Sequence, residues 1–241
     1  MSTHIIIIAA TALVAGLLGW LARGPVVRRL RAALADATWQ AEHDPLTALP
    51  NRVVATRHLY EIVNDARPAT VTLLDLDGLK HVNDSHGHHA GDQLLVATAS
   101  RLATLTARCG GVAYRLAGDE FLLLLPAPAG HDPAETPAGV LGELTTPVRV
   151  HPLHGEPVTL IPYASAGIAH FDGYDATTTE LLHFADIALY HAKVHGDRWV
   201  LHHPGMQPLP DGGVRRDTRL RDQRPPRAGN PRTPHARRSG R

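Results

Sequence analysis

The sequence predicts an α/β class domain, an α+β sandwich in which helices flank a central mixed sheet. Three observations carry that expectation. Apolar strand-like runs occupy 71–77, both sides of Gly118, and 158–171. Helical periodicities separate them, giving the order helix, strand, helix, hairpin, strand, helix, strand. A length of 241 residues leaves room for one ordinary domain with flanking segments.

Taken from the N-terminus, residues 5–22 are an 18-residue run without a charge, at the lower limit for a helix that spans a bilayer. Arg23, Arg28, Arg29 and Arg31 follow at once, and before the run only the amino terminus is formally charged. Positive residues stay cytoplasmic, so 1–24 is expected to be a single-pass transmembrane anchor in the cell (inner) membrane, with everything after it cytoplasmic. A cleaved signal peptide would need its positive charge ahead of the apolar core. Pro25 then suits the first turn of a new helix. Val27, Leu30, Leu34, Ala37 and Ala41 form a heptad-like seam in the linker 25–42. Such a seam pairs two chains in parallel, or the helix lies on anionic lipid through its arginines.

The working domain is placed at 43–203. Asn51 reads as the N-cap of a helix with Val54, His58, Leu59, Ile62 and Val63 on one face. The run 71–77 is a strand ending in Asp75 and Asp77. Leu95, Ala99, Leu102 and Leu105 mark the buried side of a helix over 91–105. A hairpin turns at Gly118, 158–171 holds one or two strands, and Thr177 with Glu180 forms a capping box for a helix reaching His195. Residues 204–241, with seven Pro and ten Arg, have too few large apolar side chains for a core and are expected to be a disordered tail.

Net charge is +1, but the N-terminal 41 residues carry +3, the tail +7 and the middle −9. A negative domain that handles polyphosphate needs metal ions more than a basic cradle. The single Cys109 excludes an internal disulfide and suits a reducing compartment. Most of the seventeen histidines are scattered. His191 and His195 have zinc-ligand spacing without a third ligand in view.

Chemistry is expected where strands end. Asp119 and Glu120 at the hairpin tip put two like charges together, which calls for a cation. If the strand ending at Asp75 lies beside that hairpin, the carboxylates of Asp75 and Asp119 meet around one or two divalent ions. That arrangement clamps a phosphate and neutralises a leaving pyrophosphate. Lys193, near the end of its helix, also reads as a cation complementing the helix dipole.

Five segments together resemble the GGDEF-domain diguanylate cyclases, in order across roughly 160 residues. They are Asp44-Pro45-Leu46-Thr47-Ala48-Leu49-Pro50-Asn51-Arg52; Asp75-Leu76-Asp77-Gly78-Leu79-Lys80-His81-Val82-Asn83-Asp84 with Gly87-His88 and Gly91-Asp92; Arg115-Leu116-Ala117-Gly118-Asp119-Glu120-Phe121; Ser165-Ala166-Gly167-Ile168-Ala169; and Ala185-Asp186-Ile187-Ala188-Leu189-Tyr190-His191-Ala192-Lys193. The resemblance implies a fold related to nucleotidyl cyclase and polymerase palm domains. It implies condensation of two GTP into cyclic di-GMP and two pyrophosphates. Asp75, the Leu76 carbonyl, Asp119 and Glu120 would hold Mg²⁺, with Mn²⁺ as a substitute. Asp119, Glu120 and Lys80 are the implied catalytic residues, and Asn83 and Asp92 would read the guanine edge. Lys80 and Lys193 would contact the triphosphate. Each domain would hold one GTP, so a homodimer is implied, and no specific nucleic acid partner is expected.

The chain departs from the family pattern at four places. Ala117 replaces the first signature Gly, which a negative φ would accommodate. Ala48 replaces a Gly in the opening motif, read as a packing difference. Gly196-Asp197-Arg198 follows Lys193 where the family often has Gly-Arg-Asn, leaving Arg198 to compensate as a substrate-binding residue. Arg108-Cys109-Gly110-Gly111 lacks the Asp of the family's inhibitory product site, so feedback through it is not expected. A domain that binds GTP or partners without turnover is the alternative reading, and a tethered scaffold working through its basic ends is another.

Overall fold

The computed structural model describes residues 2–128 and 130–207; the region expected to be a disordered tail lies almost wholly outside them. The strand-forming runs are apolar on both faces, because each must be covered twice. The nine residues of β1 (Ala69–Asp77) are all buried except the last, as befits a strand in the middle of a sheet with helices on either side. The hairpin strands β2 (Val112–Ala117) and β3 (Glu120–Pro126), with β6 (Tyr163–Phe171) and β7 (Trp199–Leu201), complete a five-stranded sheet of order β2-β3-β1-β6-β7. β1 runs antiparallel to both its neighbours and β6 parallel to β7, so the sheet is mixed.

Two helices cover one face. Ala55, Leu59 and Ile62 of α2 (Arg52–Asn64) and Leu181, Ala185 and Leu189 of α6 (Thr178–His195) pack on Val71, Leu73, Leu122 and Leu124. On the other face, Leu94, Leu95, Ala99 and Leu102 of α4 (His88–Arg108) and Val140, Leu141 and Leu144 of α5 (Glu135–Leu144) meet Leu74, Leu76, Phe121, Leu123 and Leu125. A separate two-stranded sheet pairs β4 (Val148–Val150) with β5 (Val158–Leu160). The stretch 158–171 is therefore two strands in two sheets, parted at Pro162, which has no N–H to continue a ladder.

The caps follow their sequence signals. Asn51 accepts from the amides of Val53 at 2.9 Å and Val54 at 3.4 Å. Thr177 and Glu180 bond reciprocally in a complete capping box. Ala117 is an exposed strand residue outside the positive-φ set, so its methyl is accommodated. Ala48 differs from expectation: it is exposed and sits at φ 58°, so replacing Gly there is a matter of backbone conformation, not packing.

The N-terminus requires a correction. Residues Ser2–Glu42 form one helix, α1, with Pro25 inside it and not at the start of a second. Long helical stretches on both sides of the proline carry the helix through it, although Gly24, Val26 and Val27 next to it are weak helix formers. Among the described residues, no helix is long and apolar enough to cross a membrane, which overturns the expected single-pass anchor and the cell-membrane localisation. The physical reason lies in the run itself. Eighteen helical residues reach only about 27 Å, short of a hydrocarbon core of about 30 Å. Gly16 and Gly19 thin its apolar surface, and arginines follow directly.

Candidate metal and nucleotide site

The hairpin between β2 and β3 turns in two residues, Gly118 and Asp119, with Ala117 opposite Glu120. Gly118 takes φ 51°, a conformation that a Cβ would strain. The turn is fixed from two sides. The Leu76 amide donates to the Asp119 carbonyl at 3.0 Å, tying the tip to β1. From the other side, the Arg115 guanidinium donates to the Gly118 carbonyl through Nε at 3.1 Å and Nη2 at 2.8 Å. The same guanidinium donates to Asp44 Oδ1 at 2.7 Å, in a largely buried ion pair. Burial pushes the Asp44 carboxyl pKa up, but hydrogen bonds from Thr47 and Arg115 outweigh it and hold it below its ordinary value.

Register then assembles the acids. Asp75 lies directly opposite Glu120 on β3 and opposite Ser165 on β6. Asp75, Asp119 and Glu120 each offer a carboxylate oxygen, all within 4.8 Å of one another. Such a set of hard oxygen donors fits a divalent cation of the magnesium type. Asp77, two residues on and on the same face, accepts from the Ser165 hydroxyl at 3.1 Å and is not one of the three converging acids.

Two cations border the cluster. Lys193, in the last turn of α6, places Nζ 2.7 Å from Asp75 Oδ2. Arg52, the first residue of α2, places Nη2 3.8 Å from Glu120 Oε2. Lys193 reaches Asp75 because α6 lies directly on β6. A Cβ on Gly167 would stand 2.1 Å from both the Ala185 carbonyl oxygen and the Leu189 amide nitrogen.

The remaining expected residues cluster on the other side of β1. Gly78, at φ 77°, turns the chain into α3 (Leu79–His86), which carries exposed Lys80 and partly buried Asn83. Asn83 presses on α4, where a Cβ on Gly91 would stand 1.9 Å from Asn83 Oδ1. Exposed Asp92 is the next residue along α4. Arg198 is the outlier: its guanidinium donates to the Leu141 carbonyl on α5. His191 and His195 stack at 5.6 Å, and no third ligand joins them among the described residues.

Sequence reasoning assigned no role to Arg52, Arg115, Asp44 or Ser165, although each lies in a segment singled out there. The readable signal was Arg115, a charge inside an apolar strand run.

The family model described as "Diguanylate cyclase, GGDEF domain" matches residues 41–198. The bifunctional diguanylate cyclase/cyclic di-GMP phosphodiesterase MucR of Pseudomonas aeruginosa is 38% identical over 160 residues, covering 65% of this chain and 22% of MucR. The diguanylate cyclase TpbB of the same species is 35% identical over 170 residues, covering 68% of this chain and 38% of TpbB. The chain thus spans well under half the length of these curated relatives. Among solved structures, the isolated GGDEF domain of TpbB superposes with a TM-score of 0.60 at 33% identity, covering 67% of this chain and 94% of that one. The coiled coil and GGDEF domain of DgcB from Caulobacter crescentus, in complex with c-di-GMP, gives 0.64 at 26% identity, covering 77% and 98%.

Proposed function

The chain belongs to the GGDEF family of diguanylate cyclases, and from that membership we propose that it condenses two GTP into cyclic di-GMP and two pyrophosphates. The observation that carries this reading is the cluster of Asp75, Asp119 and Glu120, whose carboxylates converge within 4.8 Å at the junction of β1 and the hairpin. Mg²⁺, or Mn²⁺ in its place, is the ion proposed, held by these carboxylates with the Leu76 carbonyl. Bound there, it supplies positive charge against the triphosphate and the developing alkoxide.

Around that centre the chain's own residues divide the work. Asn83 on α3 and Asp92 on α4 accept and donate hydrogen bonds at the guanine edge. Lys80 and Lys193 meet the phosphate oxygens. The 3′-oxygen of one GTP attacks the α-phosphorus of the other, the new P–O bond forming as the bond to pyrophosphate breaks. Glu120, beside the reacting oxygens, helps to take up the hydroxyl proton. The same step repeated in the opposite sense closes the ring. Two domains must face each other, and the exposed Val27, Leu30 and Leu34 of α1 supply a seam for a parallel homodimer.

A second reading, binding without turnover, is favoured by the engagement of Arg198 with Leu141 and by exposed Asp197 where the family often has Arg. Incubation of the full chain with GTP and Mg²⁺, followed by separation of products, decides between them. Cyclic di-GMP should form, and Asp119→Ala should cut the rate at least about a hundredfold. GTP bound but unconverted by the unsubstituted chain would select the binding reading.

A further inference from the structure

The ammonium of Lys193 stands 2.7 Å from Asp75 Oδ2, the distance of a charge-assisted hydrogen bond. Asp75 is also one corner of the three-acid cluster. Both partners are shielded, with side-chain exposures of 23% for Lys193 and 10% for Asp75. A magnesium-type ion sits about 2.0–2.1 Å from its oxygen ligands. Such an ion on Asp75 would therefore face an ammonium on the same carboxylate, in a setting where water screens little and like charges repel strongly.

The contact is imposed by the fold. Gly167 lets the α6 backbone rest on β6, and Ser165, two residues earlier on β6, lies opposite Asp75. α6 ends at His195 with Gly196 at φ 79° as its C-cap, so Lys193 is anchored in an ordered last turn. Its Cα is fixed, while its four-carbon stem can swing the charge elsewhere.

We propose that Lys193 is a resident counter-ion of Asp75 that a divalent cation must displace, and that the displaced ammonium then meets the oxygens of a nucleoside triphosphate. The proposal rests on the metal-site reading above. It makes metal and nucleotide bind with positive coupling, because the triphosphate gives Lys193 a new partner as it leaves Asp75. By reciprocity each ligand tightens the other by the same factor.

The test removes the competing charge and reads binding, not turnover. Mn²⁺ alone is titrated into the full chain, free ion being followed by its paramagnetic resonance signal. A non-hydrolysable methylene analogue of GTP is then titrated without metal. Lys193→Met should bind Mn²⁺ about tenfold more tightly than the unsubstituted chain, and the analogue more weakly. Effects of opposite sign on the two ligands are not produced by general damage to the fold. Lys193→Gln repeats both titrations, so that a cooperative thermal melt is secured in at least one variant. Mn²⁺ affinity unchanged or weakened in well-folded Lys193 variants, with Asp119→Asn still abolishing binding, overturns the counter-ion proposal and leaves the metal site standing. Mn²⁺ binding unaffected by Asp119→Asn overturns the metal site, and this proposal with it.

Discussion

Ala48 holds the left-handed backbone conformation at φ 58° while exposing its methyl group to solvent. The methyl is exposed there and crowds its own carbonyl, so the side chain costs stability for little packing in return. Ala48→Gly should raise unfolding free energy by about 0.5–1 kcal/mol, the strain relief exceeding the entropy that glycine adds to the unfolded chain. Urea titration at neutral pH measures it, and a lower midpoint would show the strain argument to be wrong. The acids were legible in the sequence because Asp75, Asp119 and Glu120 end apolar strand runs. The bond from Lys193 to Asp75 was not, since it depends on how α6 docks across β6. Arg115 lay between these cases: its charge among apolar strand residues was visible, but its grip on Asp44 and Gly118 needed the opening loop folded against the hairpin.

At the scale of the element, the approach of α6 to the sheet is the tightest constraint. A methyl at Gly167 would lie 2.1 Å from backbone atoms of Ala185 and Leu189, which no side-chain rotation can relieve. Gly167→Ala should therefore destabilise the domain by about 3 kcal/mol. It should also lift Lys193 from Asp75, so Mn²⁺ affinity measured without nucleotide should change along with the melting temperature. Loss of stability with no change in metal affinity would separate the helix position from the ion pair. The long helices and the strands around the site were legible from their periodicity, but α3, α5 and β4 were not anticipated. α3 has only eight residues, and its one apolar pair, Leu79 and Val82, is half-buried against the core, too little for a periodicity to stand out. α5 carries a proline and two glycines within ten residues, against helix propensity, and is held by tertiary packing of Val140, Leu141 and Leu144.

At the scale of the whole molecule, stability should depend on pH through pairs that join its layers. The phenol of Tyr114 on β2 bonds the His58 Nδ1 on α2. Burial, followed by the nearby charge of Arg67, lowers the His58 pKa from its ordinary 6.5, and burial with neighbouring imidazoles does the same for His202. Their neutral forms are favoured when folded, so their contribution is complete above about pH 6.5 and is lost as pH falls toward the lowered folded values. Burial, then Glu61, raises the Tyr114 pKa, so that contribution is complete below the ordinary value near 10 and declines above it. Melting temperature plotted against pH should form a plateau between these limits, and His58→Gln should flatten part of the acid limb. An unchanged acid limb in that variant would assign it to other groups. The strand order has a consequence of another kind. β1 lies third of five strands, its first eight residues buried, whereas α3 next to it has none. Amides of β1 should exchange hydrogen only when the whole domain opens, and those of α3 in far more frequent local openings. Asp75 thus rides on the slowest-exchanging segment and Asn83 on a fast one. As the domain loosens with heat or denaturant, the guanine contact proposed for Asn83 should fade while the carboxylate proposed to hold the metal is still in place.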